Sequence, residues 1–80
     1  MDWKKQSITF SQKNQIFHYC CKPQAKKFIS EGLYEELEKL NKGQASDVMG
    51  LFRNFNGGEA LLKLKEYGMS ITITKEDIHK

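Results

Sequence analysis

The sequence predicts an α+β fold in which an N-terminal β-hairpin and a C-terminal strand form a small antiparallel sheet covered by three or four short helices. Three observations predict it. "SITF" (7–10) and "QIFHYC" (15–20) are rich in β-formers and are separated by the polar, turn-like "SQKN" (11–14). "MSITIT" (69–74) alternates apolar and polar residues, as a half-buried strand does. Between these ends, apolar residues recur every three or four positions, which is the helical period. A three-stranded sheet covered by helices can stand alone where a hairpin cannot.

The elements follow in order. Residues 15–20 have a competing reading, a helix capped by Ser11 with Ile16, Phe17, Tyr19 and Cys20 on one side. A helix interior of Phe, His, Tyr and two Cys has poor propensity, which favours the hairpin. Pro23 suits the first turn of a helix, where its missing N–H costs nothing. Ala25, Phe28, Ile29, Leu33, Leu37 and Leu40 continue that helix, with Glu35–Lys39 and Glu38–Lys42 as i, i+4 pairs. Gly32 interrupts it and can split it in two, with Ser30 capping the second part, and Gly43 ends it. Ser46 is the next N-cap, followed by Val48, Met49, Leu51, Phe52 and Phe55 on a broad apolar face. "NGG" (56–58) stops this helix. Another runs from about Gly58 to Tyr67, with Ala60, Leu61, Leu64 and Tyr67 inward and Gly68 closing it. Thr74 can cap a last turn.

Eighty residues make one domain, 1–80, with a small core. At 39% hydrophobic and 29% charged residues the composition is globular. No apolar run approaches membrane-spanning length, and "MDWKKQSITF" has no apolar signal core, so the expected location is cytoplasmic and no membrane is expected. Cys20 and Cys21 are neighbours, about 3.8 Å apart at Cα. An ordinary disulfide needs about 4.4–6.8 Å, so none joins them.

The net charge of +3 is uneven. Lys4, Lys5, Lys13, Lys22, Lys26 and Lys27 face only Asp2 and Glu31 in the first 31 residues, while the remainder is close to balanced. A basic edge of this kind suits a polyanion or an acidic protein partner. Arg53 is the single arginine, which argues against base-specific reading of DNA, since Arg makes most bidentate contacts to guanine.

His18, Cys20, Cys21 and His79 equal a zinc ligand set in number but not in spacing, so no metal and no cofactor are expected. On a strand His18 and Cys20 would share a face, yet no third group marks a nucleophile–base arrangement, and no enzyme is expected. "NGGEALLK" opens a helix with glycines but lacks the lysine and hydroxyl of a phosphate-binding loop. Residues 46–74 could be ordered as in a winged-helix DNA-binding domain, but the helix that would enter the groove offers Glu59 and Glu66 beside Lys63 and Lys65.

The tail "EALLKLKEYGMSITITKED" resembles the end of leader domains of peptide natural products, where a short helix ends in Gly before an apolar residue and an acidic start. The resemblance covers about a quarter of the chain and carries over no residue role.

Binding remains as the expected use. Nine aromatics exceed what a small core readily buries, and Tyr, Trp and Arg are common interface anchors. The candidate partner-binding residues are Trp3, Lys4, Lys5, Lys13, Lys22, Lys26, Lys27, Tyr34 and Arg53. The expected function is that of a small non-catalytic regulator or inhibitor acting on a protein partner, as a monomer or homodimer, of a size that suits a phage or mobile element. The alternative is a nucleic-acid-binding protein using lysine–phosphate contacts with weak sequence preference.

Overall fold

Helix α1 (Phe10–Cys20) occupies the stretch expected to form a hairpin. The computed structural model describes residues 5–78 and is 66% helical. Among the described residues there is no strand and no sheet, so the α+β expectation is overturned. Two isolated antiparallel bridges occur among these residues, Ser7–Asn41 and Ile29–Ile71.

Two local effects make α1 a helix. Thr9 Oγ1 accepts the Gln12 N–H at 3.1 Å, and Gln12 Oε1 accepts the Thr9 N–H at 3.1 Å. This reciprocal capping box satisfies two backbone donors at once. Lys13, Ile16 and Cys20 then fall on one face at spacings of three and four, and all are buried. Burial of that face outweighs the poor propensity of the residues around it.

Helix α2 (Pro23–Lys26) starts at Pro23 as expected. It ends after one turn, and the continuous helix expected beyond it is broken. Helix α3 (Leu33–Glu36) follows, with Gly32 rather than Ser30 at its N-cap, and runs into a 3-10 turn at Leu37–Lys39. The expected i, i+4 charge pairs do not form. Glu38 instead accepts from the Lys13 ammonium at 2.7 Å, and Lys42 donates to Gln6 Oε1 at 2.9 Å.

Helix α4 (Lys42–Arg53) begins four residues before the expected cap. Asn41 and Gln44 form a second capping box, and Gly43 lies within the first turn instead of ending a helix. Helix α5 (Gly57–Glu66) buries Ala60, Leu61 and Leu64 as the periodicity predicts. Helix α6 (Lys75–Ile78) starts after Thr74, whose N–H and hydroxyl both donate to Asp77 Oδ2.

Helix α4 is central, with α1 and α5 packed against it and α2 bridging α1 and α5. The core joins Ile16, Cys20, Leu33, Leu37, Val48 and Leu64, all fully buried. Residues 69–73 keep the expected alternation, with Met69, Ile71 and Ile73 buried and Ser70 and Thr72 exposed. They cover the core as an extended strap instead of a sheet strand, because the hairpin that would have paired with them is α1. The strap is tied by Thr72 N–H to the Phe28 carbonyl, by Lys65 Nζ to the Ile73 carbonyl, and by Glu36. No helix among the described residues is long and apolar enough to cross a membrane.

Glu36 accepts both the Ser70 N–H at 2.8 Å and the Ser70 hydroxyl at 2.7 Å. The backbone donor first, then the hydroxyl, hold its carboxyl below the ordinary value. A folded-state value below the unfolded one contributes stability above about pH 4.3 that is lost as the pH falls through the lower value. Glu36→Gln is therefore expected to flatten the acid limb of stability below about pH 4.3, read by urea unfolding at a series of pH values. An unchanged acid limb would show that the Ser70 contacts do not discriminate between charge states.

Candidate functional site

The ends of α1 and α4 meet on one face. Tyr19 from the last turn of α1 stacks flat on Phe52 from the last turn of α4, with centroids 4.9 Å apart and planes within 5°. Lys22, in the link to α2, holds its ammonium 5.3 Å from the Tyr19 ring centroid. Arg53 reaches Gln15 Oε1 at 3.5 Å, the outer limit of a hydrogen bond. Between these groups lies an open cleft of about 490 Å³, lined chiefly by Tyr19, Lys22, Ala25, Phe52, Arg53 and Phe55.

Phe55 is the unusual member. It is 97% exposed and its φ is +61°, the left-handed region that bulky residues rarely enter. Its position explains the angle. The Asn56 N–H donates to the Leu51 carbonyl at 2.8 Å and the Phe55 N–H to the Phe52 carbonyl at 3.2 Å. These two bonds form a Schellman motif, with Phe55 at the position just past the cap. The end of α5 repeats the motif: Met69 N–H donates to the Leu64 carbonyl and Gly68 N–H to the Lys65 carbonyl, each at 3.0 Å. There the left-handed residue is Gly68, at φ +96°. So the same turn uses glycine where it only ends a helix, and phenylalanine where it borders the cleft. A non-glycine residue in this conformation costs roughly 1–2 kcal/mol, and the exposed ring recovers none of it by burial.

The cleft continues on both sides. A hollow of about 530 Å³ at Asn14, Gln15 and His18 shares Tyr19 and Lys22 with it. Beyond Phe55, a groove of about 590 Å³ runs toward α6, sharing Gln24, Ala25, Phe55 and Gly57. That groove brings Lys27, Glu59 and Asp77 to its walls. Phe10, the other large exposed apolar side chain among the described residues at 74%, begins α1 and is roughly 13 Å along the helix from Tyr19.

The residues expected to bind a partner are not brought together as a set. Trp3 and Lys4 lie outside the described residues. Lys22 and Arg53 face the cleft, and Lys27 lines the adjoining groove, with its ammonium 5.1 Å from the Phe28 ring centroid. Lys26 is exposed but lines neither, and Lys5 is exposed ahead of the segment that pairs with residues 40–42. Lys13 is only 8% exposed. Its ammonium is shared between Glu38 and the Tyr34 ring, 4.0 Å from the centroid, so it holds α1 to the α3 region. Tyr34 donates its hydroxyl to Asn14 Oδ1 at 2.7 Å and sets its ring at 71° to that of Phe17. Tyr19, Phe52 and Phe55 were not singled out as a group, because the sequence places Phe52 and Phe55 on an inward face. The available signal was Phe55 standing directly before "NGG", a helix-ending run.

The cysteines part company on the helix. Cys20 is buried and Cys21 exposed. Burial first, and the neighbouring Cys21 second, push the Cys20 thiol up to about 12, so it is not a thiolate near neutral pH. His18 is exposed, and the two-residue step to Cys20 turns about 200° around the helix, which removes the shared face a strand would have provided. No group of three or more His, Cys, Asp or Glu suited to a metal occurs among the described residues, and His79 lies outside them. A thiol reagent is expected to titrate Cys21 alone in the native protein and both cysteines in denaturant. Rapid native reaction of both would contradict the packing of α1.

Comparison with protein families, curated proteins and solved structures finds no match for this chain.

Proposed function

We propose that this is a non-catalytic binding domain that docks a protein partner in the cleft bordered by Phe55. The observation that carries the reading is Phe55 itself: an exposed aromatic ring held in a costly left-handed conformation beside an aromatic, basic cleft. Backbone strain of this kind gathers at sites of function, and an exposed aromatic ring beside a cleft is a common interface anchor. Lys22 and Arg53 supply charge at the rim, where it steers encounter and selects among partners. On α1 Cys20 is buried and His18 exposed, so the pair lends no support to a nucleophile–base reading. We place the protein in the cytoplasm, where an exposed thiol such as Cys21 stays reduced.

The test is selection of peptides from a displayed random library, run in parallel on the wild type and on Phe55→Gly. Enrichment of peptides on the wild type that is lost on Phe55→Gly is expected. Equal enrichment on both proteins, or none on the wild type, would overturn the reading.

A second reading has its own observation. The flat Tyr19–Phe52 stack beside Lys22 and Arg53 is a pairing of rings and cations that single-stranded nucleic acid also uses. It predicts submicromolar binding of an oligonucleotide that collapses as salt is raised.

A further inference from the structure

Granting that the Phe55 cleft docks a protein, the distribution of charge around it names the chemistry of the segment. We infer that the occupant is an acidic segment of another protein, with an apolar side chain seated against Phe52 and Phe55 and carboxylates meeting Lys22 and Arg53.

Three observations carry this. First, the floor is apolar: Tyr19, Ala25 and Phe52 line the open cleft, with the exposed Phe55 ring at its border. One large side chain and its neighbours fit such a space. Second, the rim is cationic and uncompensated. No Asp or Glu lines the cleft or the hollow beside it, and neither Lys22 nor Arg53 is in an ion pair among the described residues. Arg53 spends its guanidinium on one long bond to a neutral amide, so its planar donor edge can take a carboxylate by two parallel hydrogen bonds. Third, the sign changes past Phe55. The groove toward α6 carries Glu59 and Asp77 beside Lys27.

The third observation separates the partner classes. A nucleic-acid strand bears a negative charge at every residue, so it is matched on the Lys22–Arg53 side of Phe55 and repelled by Glu59 beyond it. A polypeptide can change sign along its length and follow the groove in both directions. A second copy of this chain, paired about a two-fold axis at Phe55, would show itself as self-association in sedimentation velocity and would overturn the inference.

The experiment uses three labelled probes in fluorescence anisotropy. They are a peptide with Trp-Leu carrying Asp and Glu on one flank only, the same peptide with Lys replacing the acids, and an oligothymidylate strand. The acidic peptide is expected to bind at least about tenfold tighter than the basic one, and Lys22→Glu with Arg53→Glu is expected to reverse that order. Lys39→Glu, in the 3-10 turn and lining neither the cleft nor the groove, serves as the surface control and is expected to leave the order of affinities unchanged. Equal binding of the two peptides, no binding of the acidic peptide, or an order that survives the double reversal would overturn the inference. Those results leave the Phe55 reading intact if library peptides without acidic bias are still lost on Phe55→Gly. Tighter binding of oligothymidylate than of either peptide, also lost on Phe55→Gly, would overturn the inference and the protein-partner reading together.

Discussion

Phe55→Gly is expected to make the protein more stable and to abolish partner binding. Glycine enters the left-handed region without a Cβ clash, so the roughly 1–2 kcal/mol cost of the present conformation is relieved. Glycine loses more chain entropy on folding, which offsets part of the gain. A net stabilisation of about 1 kcal/mol remains, and for a domain of this size that is a rise in Tm of roughly 4–8 °C. The ring is 97% exposed, so its removal leaves no cavity to subtract from this. Most substitutions that destroy binding also weaken the fold or leave it unchanged. Here the two effects have opposite signs, which makes misfolding an untenable explanation for lost binding. Thermal unfolding and peptide selection on the same preparation read both. A fall in Tm would show that Phe55 stabilises the turn, and the argument from strain would fail.

Ile16→Ala is expected to be the most damaging of the conservative core changes in α1. Ile16 is fully buried at the middle of that helix, on the face that packs against α4. Truncating a buried Ile to Ala costs about 2–5 kcal/mol, against a total stability of roughly 5–15 kcal/mol for a typical domain. A domain this small lies toward the low end, so a substantial unfolded population is expected near 37 °C. The paired control is His18→Ala. On a strand, Ile16, His18 and Cys20 would share one face. On α1, His18 is exposed, and its replacement is expected to change stability by no more than about 0.5 kcal/mol. Urea unfolding of both variants separates the two geometries. Comparable losses at residues 16 and 18 would restore the hairpin.

Several elements were legible in the residues. Pro23 marked the start of α2, the spacing of Ala60, Leu61 and Leu64 marked the buried face of α5, and Gly68 marked its end. The alternation of Met69, Ile71 and Ile73 gave the correct inward set even though the sheet was absent, because an extended strap over a core has the same period of two. The misreadings share a cause. In α1 and α4 the capping boxes Thr9–Gln12 and Asn41–Gln44 lie upstream of Ser11, the cap of the helix reading set aside for the hairpin, and of Ser46, the start expected for α4. Gln in the third helical position is easily passed over as an ordinary polar residue, so both helices were begun too late or not at all. Gly43 misled for the related reason that glycine ends helices often but is tolerated in a first turn.

The site was less legible than the fold. Lys22 and Arg53 were marked by charge, but Lys13 carried the same mark and is spent on Glu38 and Tyr34. Which lysine remains at the surface depends on the helix face, and that face was assigned to the wrong element. Phe55 read as core because it continues the apolar pattern of α4. Only the backbone shows that the helix has ended at Arg53 and that the ring turns outward in a left-handed residue.

The central claim is that the cleft bordered by Phe55 is where a protein partner docks. Amide chemical-shift mapping of the ¹⁵N-labelled protein, titrated with a peptide selected on the wild type, tests it most directly. The predicted result is a set of shifts concentrated at Tyr19, Lys22, Ala25, Phe52, Arg53 and Phe55, with the Phe10 end of α1 and the Ser70 strap unmoved. Shifts centred on Phe10, or on the strap, with the cleft residues silent would contradict it.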